Sequence, residues 1–171
     1  HTHAVGGTLN VAVGDVALAA NTGGAFNTAV GSEALTVATS GGNTAIGARA
    51  GRATTTGDLN VFVGYGAGDA NSTGRMNTIV GQWADVASTG LTNATALGNR
   101  AAVGISNAVV LGSINDVNGA VADTRVGIGT TTPGAPLEIE REVDPVTTGR
   151  LPELWLTSFG AQPIVAGRSA N

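Results

Sequence analysis

Residues 27–34 read Asn-Thr-Ala-Val-Gly-Ser-Glu-Ala, and residues 43–50 read Asn-Thr-Ala-Ile-Gly-Ala-Arg-Ala. The same frame recurs along most of the 171-residue chain. In each copy an aliphatic residue precedes a glycine, and in most copies asparagine stands four residues before it. The glycines of the frame are Gly14, Gly31, Gly47, Gly64, Gly81, Gly98 and Gly112. This recurrence identifies a repeat protein.

The length of the repeat, 16–17 residues in most copies, decides the class of fold. It is too short for pairs of helices, and a glycine in every unit disfavours helix. It matches one turn of a β-solenoid or β-roll: a strand, a glycine corner, a second short strand and a second turn marked by Thr or Ser before Gly, as in Thr56-Gly57. We therefore expect an all-β fold whose turns stack at ~4.8 Å through backbone hydrogen bonds.

Three positions of the repeat carry predictions about the interior. The residues one and three before each glycine share a face of the strand, such as Val11 and Val13, and we expect that face to be the interior row. The residue three after the glycine is alanine in six units, which predicts a position with room only for a methyl group. These alanines are Ala17, Ala34, Ala50, Ala67, Ala84 and Ala101. The repeated asparagine predicts an amide ladder between turns or a cap for each turn.

The composition excludes several classes of function. Aromatic residues make up 4% and charged residues 12% of the chain, so a thin solenoid needs partners to cover its faces. There is no cysteine for a disulfide or a thiolate metal site. The net charge is −4 and every basic residue is arginine, which argues against nucleic-acid binding. No apolar run reaches the ~18 residues that cross a bilayer, so we expect no membrane insertion.

Catalysis is not expected either. The two histidines stand at His1 and His3, far from any serine that a Ser-His-Asp arrangement would use. Glycines recur with the repeat and no lysine follows them, so no phosphate-binding loop is present. The sequence predicts a protein that is not an enzyme.

The units at 27–35 and 43–50 resemble the head repeats of trimeric autotransporter adhesins, and more closely the similar repeats of bacteriophage tail-fibre proteins. Residues 123–133, Asp-Thr-Arg-Val-Gly-Ile-Gly-Thr-Thr-Thr-Pro, followed by Leu-Glu-Ile at 137–139, resemble the segment that ends the repeat shaft in tail fibres with a C-terminal intramolecular chaperone. The resemblance covers roughly residues 9–140, although the period is longer than that of the adhesin heads. It implies an intertwined homotrimer in which each β-roll packs against two neighbours.

The resemblance also implies a function: a structural and host-attachment segment of a tail fibre in the virion, which positions or forms a receptor-binding tip. The expected partner is a host cell-surface receptor, either a glycan or an outer-membrane component. The alternative is a trimeric adhesin head on a bacterial surface that binds host matrix or glycans. A third reading is an ice-binding β-solenoid, from Thr28, Thr44 and Thr78 in register. A glycan-degrading spike would need an acid pair on a broad cleft, which the sequence does not offer.

The N-terminal His1-Thr2-His3 is a candidate metal site. In an extended strand both imidazoles point the same way. The threefold axis that the resemblance implies would gather six of them, which suits an octahedral transition metal such as iron or nickel. Some tail-fibre shafts hold iron between His-x-His segments of three chains. The alternative is a frayed terminus or the remnant of a tag.

The second residue after each corner glycine varies between units, and we expect this column to face outward. It reads Val16, Glu33, Arg49, Gly66, Trp83 and Arg100. A tryptophan with arginine neighbours is suited to stacking on a sugar ring. The candidate glycan contacts are therefore Arg49, Tyr65, Trp83 and Arg100, and the alternative for these residues is subunit packing or plain surface.

These patterns divide the chain into four segments. Residues 1–8 form an N-terminal strand or frayed end, 9–113 the solenoid, 114–136 a linker or shaft end, and 137–171 a small β tip or the start of a further module. In the last segment apolar and acidic residues alternate, which predicts a half-buried strand with a solvated acidic face rather than a calcium site. The apolar residues are Leu137, Ile139 and Val143, and the acidic ones are Glu138, Glu140 and Glu142.

Overall fold

The computed structural model describes residues 7–139 of the chain. Over this range the protein is all-β without a helix, and parallel strands stack as a β-solenoid of about six turns with ~17 residues per turn. The fold class predicted from the repeat is confirmed. Because residues 7–139 contain no helix, none of them forms a helix that could cross a membrane.

Eleven short strands lie within the described residues. They are β1 (Val11–Val13), β2 (Thr28–Val30), β3 (Thr44–Ile46), β4 (Val61–Val63), β5 (Thr78–Val80), β6 (Asp85–Val86), β7 (Thr95–Leu97), β8 (Ala102–Val103), β9 (Val109–Leu111), β10 (Val126–Ile128) and β11 (Leu137–Ile139). One seven-stranded parallel sheet has the order β1-β2-β3-β4-β5-β7-β9. Equivalent repeat positions pair directly, as Thr44 does with Val61. Two two-stranded sheets, β6-β8 and β10-β11, complete the structure of this range.

The second side of each turn departs from the prediction of a second strand. In the first four turns this second side is a series of tight turns. Strands form on it only in the next two turns, as β6 and β8. The cause is the residue four after the corner glycine, which has a left-handed backbone at Leu18 (φ 52°), Leu35 (φ 48°), Gly51 (φ 59°) and Gly68 (φ 69°). A left-handed residue cannot continue a strand. In the next two turns this position lies inside β6 and β8.

The prediction about the interior row of the strands is wrong. The middle residue of each strand points inward, and the flanking residues point out: Val11 and Val13 are 48% and 53% exposed, whereas Ala12 is buried. Alternation shows that the two faces differ but not which one is inside. The interior is narrow because alanines line its opposite side, so in most turns it accepts only another alanine and the larger β-branched residues face outward.

The predicted alanine row is confirmed, since all six alanines three after the corner glycine are fully buried. Next to this row the core changes composition from turn to turn. Leu18 and Leu35 fill it in the first two turns, and Phe62 fills it further along. A Cβ on Gly51 would stand 2.5 Å from Phe62 Cδ2, and one on Gly68 would stand closer still to the same ring. The ring of Phe62 therefore occupies the volume that Gly51 and Gly68 leave empty.

The asparagines form the predicted ladder and also cap the turns. The Oδ1 atom of each accepts a hydrogen bond from the backbone N–H of the asparagine one turn further on, at 2.8–3.0 Å. Each Nδ2 atom donates to a backbone carbonyl, as Asn43 does to Gly57 O at 3.0 Å. The ladder ends where Asn77 Oδ1 accepts a hydrogen bond from the N–H of Ala94, because alanine has no side-chain amide that could accept the N–H of the following turn.

Beyond β9 the chain leaves the solenoid through a closed loop at residues 113–124. Ser113 and Thr124 tie its ends together, with Thr124 N donating to Ser113 O at 2.8 Å. After the loop, β10 pairs with β11. Leu137 and Ile139 are 59% and 51% exposed, whereas Glu138 is half-buried and accepts the N–H of Gly134 at 2.5 Å.

A strand forms at Leu137–Ile139 as predicted, but in a single chain Leu137 and Ile139, on the side predicted to be buried, are exposed and Glu138 is the half-buried residue. Glu140, Glu142 and Val143, which belong to the same predicted strand, lie outside the described residues.

Candidate functional site

The outer face of the seven-stranded sheet is the largest candidate surface. The last residue of each strand forms an unbroken aliphatic column along it: Val13, Val30, Ile46, Val63, Val80, Leu97 and Leu111. Beside this column runs another, formed by the first residue of each strand, in which valine and threonine alternate irregularly. The aliphatic column remains partly exposed over its whole length, from Val13 at 53% to Leu111 at 51%.

A third apolar column precedes the ladder asparagines. Leu9, Phe26, Leu59 and Met76 are 70%, 67%, 54% and 45% exposed. Each has a left-handed backbone, with φ between 56° and 61°. Left-handed backbone costs an ordinary residue ~1–2 kcal/mol, and backbone bonds between turns hold it here, as in the 3.0 Å bond from Met76 N to Asp58 O. We call these three columns the outer apolar face.

A second candidate surface lies at the glycine corner of the later turns. Tyr65 and Trp83 meet edge to face, with ring centroids 4.9 Å apart and an interplanar angle of 82°. The indole lies over Gly66, where an added Cβ would stand 2.5 Å from Trp83 Cε3. Glycine at position 66 is therefore what lets the ring lie against the solenoid.

Polar side chains continue this corner into the next turn. Gln82 and Asn99 are exposed, and Asn99 Nδ2 donates to Gln82 O at 3.2 Å. Arg100 Nη1 donates to the carbonyl of Asn118 in the loop, at 2.9 Å. The amide of Asn118 in turn donates to the carbonyl of Trp83. We call Tyr65, Gln82, Trp83, Asn99 and Arg100 together the aromatic corner.

The structure separates Arg49 from the other predicted glycan contacts. Arg49 lies two turns before Trp83 and pairs with Glu33 at 3.4 Å. Arg52 lies beside it, 3.6 Å from Glu33 and joined to Asp69 by two 3.0 Å bonds. Arg49 thus belongs to a row of ion pairs, whereas Tyr65, Trp83 and Arg100 come together.

Asp85 is a titratable residue that the sequence patterns did not single out. Asp85 occupies the position that Leu18 and Leu35 hold in earlier turns, and its carboxylate accepts the N–H groups of Ala70 at 3.0 Å and Val86 at 2.8 Å. Burial raises the pKa of Asp85 to about 6, and the nearby Asp69 shifts it in the same direction. The signal in the sequence was an acidic residue at a position that is apolar or glycine in the earlier turns.

A shallow polar groove of about 550 Å³ runs along the second turn of the repeat, which is marked by Thr or Ser before Gly. It is lined by Ser40, Gly41, Thr56, Asp58, Thr73 and Arg75. The Asp58–Arg75 ion pair, at 2.9 Å, lies across it. The predicted metal ligands His1 and His3 lie outside the described residues. Within residues 7–139, no group of three or more His, Cys, Asp or Glu is placed to hold a metal ion.

Comparison with known proteins identifies no relative: no family model, no curated protein and no solved structure matches this chain. The features of this chain that bear on its function are the outer apolar face, the aromatic corner and the repeat itself.

Proposed function

We propose that this chain is a structural and host-attachment segment of a trimeric phage tail fibre, which positions or forms a receptor-binding tip and catalyses no reaction. The observation that carries the proposal is the outer apolar face, which runs through all seven strands of the main sheet. A contiguous apolar surface of this extent is typical of an interface rather than of a monomer's surface.

The distribution of side chains supports assembly. The interior is lined mainly by alanine and asparagine, which bury little apolar area, and holds only a few larger residues such as Leu18, Leu35 and Phe62. Most of the described Val, Ile and Leu residues, with Phe26 and Met76, are partly or fully exposed. Covering a large aliphatic side chain contributes ~1.5–3 kcal/mol. A repeat that presents this face in every turn is best covered by copies of itself, because their columns have the same spacing.

The threefold arrangement and the virion as location follow from the resemblance of the repeats and of residues 123–133 to tail-fibre shafts. The exposed Leu137 and Ile139 of β11 support assembly, because they offer further apolar contacts beyond the solenoid. A bacterial trimeric adhesin head remains the alternative, since it would use the same apolar face. The shaft-end resemblance of residues 123–133 favours the fibre.

The test of assembly is native mass measurement at micromolar concentration, where we expect a trimer. Replacing Val63 and Val80 together by serine should dissociate it, because both lie in the middle of the aliphatic column. Val37→Ser, which alters an exposed valine on the other side of the solenoid, is the matched control and should leave the trimer intact. A folded monomer in the parent protein would contradict the proposal.

The test of location uses an antibody raised against the purified protein. Labelling of fibres on virus particles from the source culture is the expected result. Labelling confined to the bacterial surface would instead support the adhesin alternative.

One observation favours the ice-binding reading as a second candidate. The threonine column is on the outside: Thr28, Thr44 and Thr78 lie in register beside the aliphatic column on a parallel sheet. Val61 interrupts that column, and Phe26 and Leu59 protrude at the edge of the face. Measuring thermal hysteresis in a solution of the purified protein tests for ice binding, and the absence of hysteresis would rule out this candidate.

A further inference from the structure

We propose that the aromatic corner binds the pyranose rings of an oligosaccharide. This inference rests on the proposed host-attachment role only for its biological meaning, because the site itself is formed within one chain. Its ligand is defined by three features of the corner: an aromatic platform, a rim of amides and a fixed guanidinium group.

The platform is the pair of rings. Trp83 is half-buried and held against Gly66, and Tyr65 is 41% exposed with its ring at 82° to the indole. A ring already held in place loses little conformational freedom when a ligand packs on it. A pyranose has a face of C–H groups that packs on such a ring, while its hydroxyl groups point outward in the plane of the sugar.

The rim provides partners for those hydroxyl groups. Gln82 and Asn99 are exposed, and amides both donate and accept hydrogen bonds, as hydroxyls do. Arg100 Nη1 donates to Asn118 O at 2.9 Å, which restricts the plane of its guanidinium group. That plane presents donors suited to a hydroxyl pair or to the carboxylate of a uronic acid.

Other ligand classes fit the corner less well. An apolar peptide would take the exposed amides of Gln82 and Asn99 out of water and offer them no hydrogen bonds in return, which is costly. A nucleic acid would meet a chain of net charge −4. The corner spans three successive turns, with Tyr65, Trp83 and Arg100 each in a different turn, so it suits an oligosaccharide that lies along the solenoid axis.

The test is a titration with a panel of hexose oligosaccharides, half of them neutral and half containing a uronic acid, at up to millimolar concentration. Trp155→Phe serves as the background, because Trp83 is then the single tryptophan and reports binding by its fluorescence. We expect a saturable change with at least one sugar, with the same affinity by calorimetry.

Variants assign the binding to the corner. Trp83→Ala, measured by calorimetry, and the milder Asn99→Ala should each weaken it at least tenfold. Val37→Ala, which truncates an exposed side chain outside both the aromatic corner and the outer apolar face, should leave the affinity unchanged.

Two results would overturn the proposal: no saturable binding of any sugar in the panel, or loss of the trimer in Trp83→Ala, which would assign the ring to subunit packing. Native mass measurement on the same samples separates the two proposals. A trimer that binds no sugar rejects the glycan site alone, and a monomer that binds sugar rejects the trimeric fibre alone.

Discussion

Asn43 and Asn60 lie in consecutive turns, and the Oδ1 atom of Asn43 accepts hydrogen bonds from both the backbone N–H of Asn60, at 3.0 Å, and its Nδ2, at 3.1 Å. Asn43 Nδ2 meanwhile donates to Gly57 O at 3.0 Å. One buried side chain thus satisfies polar groups in two turns. The register between turns depends on it, because a slip of one residue would leave every rung unpaired.

Replacing Asn43 by alanine should therefore destabilise the protein by about 1–3 kcal/mol per chain, since the N–H of Asn60 would be buried without a partner and the carbonyl of Gly57 would keep only the hydroxyl of Ser40. Chemical denaturation measures the loss. Asn115→Ala is the control: Asn115 is exposed and its backbone is not left-handed, so its replacement should change stability by less than ~0.5 kcal/mol. Equal stabilities of the two variants would show that the ladder contributes nothing.

Ala50→Leu or Ala67→Leu should destabilise by roughly 1–3 kcal/mol per chain, because the position is fully buried in every turn and accepts only a methyl group. Arg52→Leu is the comparison. It removes ion pairs with Asp69 and Glu33, but the Arg52 side chain is 39% exposed, so the loss should stay at ~1 kcal/mol or less. If the alanine variants melt like the parent while Arg52→Leu does not, the assigned register is wrong.

Phe62 and Gly68 should show strong coupling. Phe62→Ala alone should cost about 3–5 kcal/mol through the cavity it leaves, and Gly68→Leu alone should clash with the ring. The double variant recreates the pairing of Ala12 with Leu18, where leucine already has a left-handed backbone. We expect it to be more stable than either single variant, and a double-mutant cycle of thermal melts measures the coupling. If the stability losses of the two single variants simply add up in the double variant, Phe62 and Gly68 do not compete for the same core volume.

Asp85 should make stability fall as the pH rises. Its pKa is raised from 3.8 to about 6 in the folded chain, so the folded state holds the proton more tightly than the unfolded state. The cost is absent below pH ~4, develops between pH ~4 and ~6, and reaches on the order of 3 kcal/mol above that range.

Asp85→Asn keeps the acceptor for the N–H groups of Ala70 and Val86 but removes the charge. It should melt higher than the parent at pH 7.5 and about equally at pH 4. Asp15→Asn makes the same change of charge on an exposed side chain and should leave the pH dependence of the melt in place. A parent protein that melts lower at pH 4.5 than at pH 7.5, with the difference kept in Asp85→Asn, would refute the assignment.

The amino-acid sequence by itself determined the features that every turn repeats. The interval between corner glycines predicted the solenoid, the alanine three residues later predicted a row with room only for a methyl group, and Asn27, Asn43 and Asn60 at a constant position predicted the ladder. Each prediction holds because equivalent residues of a solenoid stack on one another, so a constraint on one turn applies to all.

The tertiary structure alone decided which face of each strand is inside. Alternation treats Val11 and Ala12 symmetrically, and the outcome depends on the residues that lie opposite across the interior. For the same reason, the sequence alone did not show that Asp85 is largely buried, that Phe62 fills the core or that Tyr65 and Trp83 meet. Trp83 could be seen to face outward, but its position over Gly66 and beside Tyr65 depends on contacts between turns. Local sequence sets the path of one turn, whereas the packing between turns decides which side chains are buried and which remain free to bind.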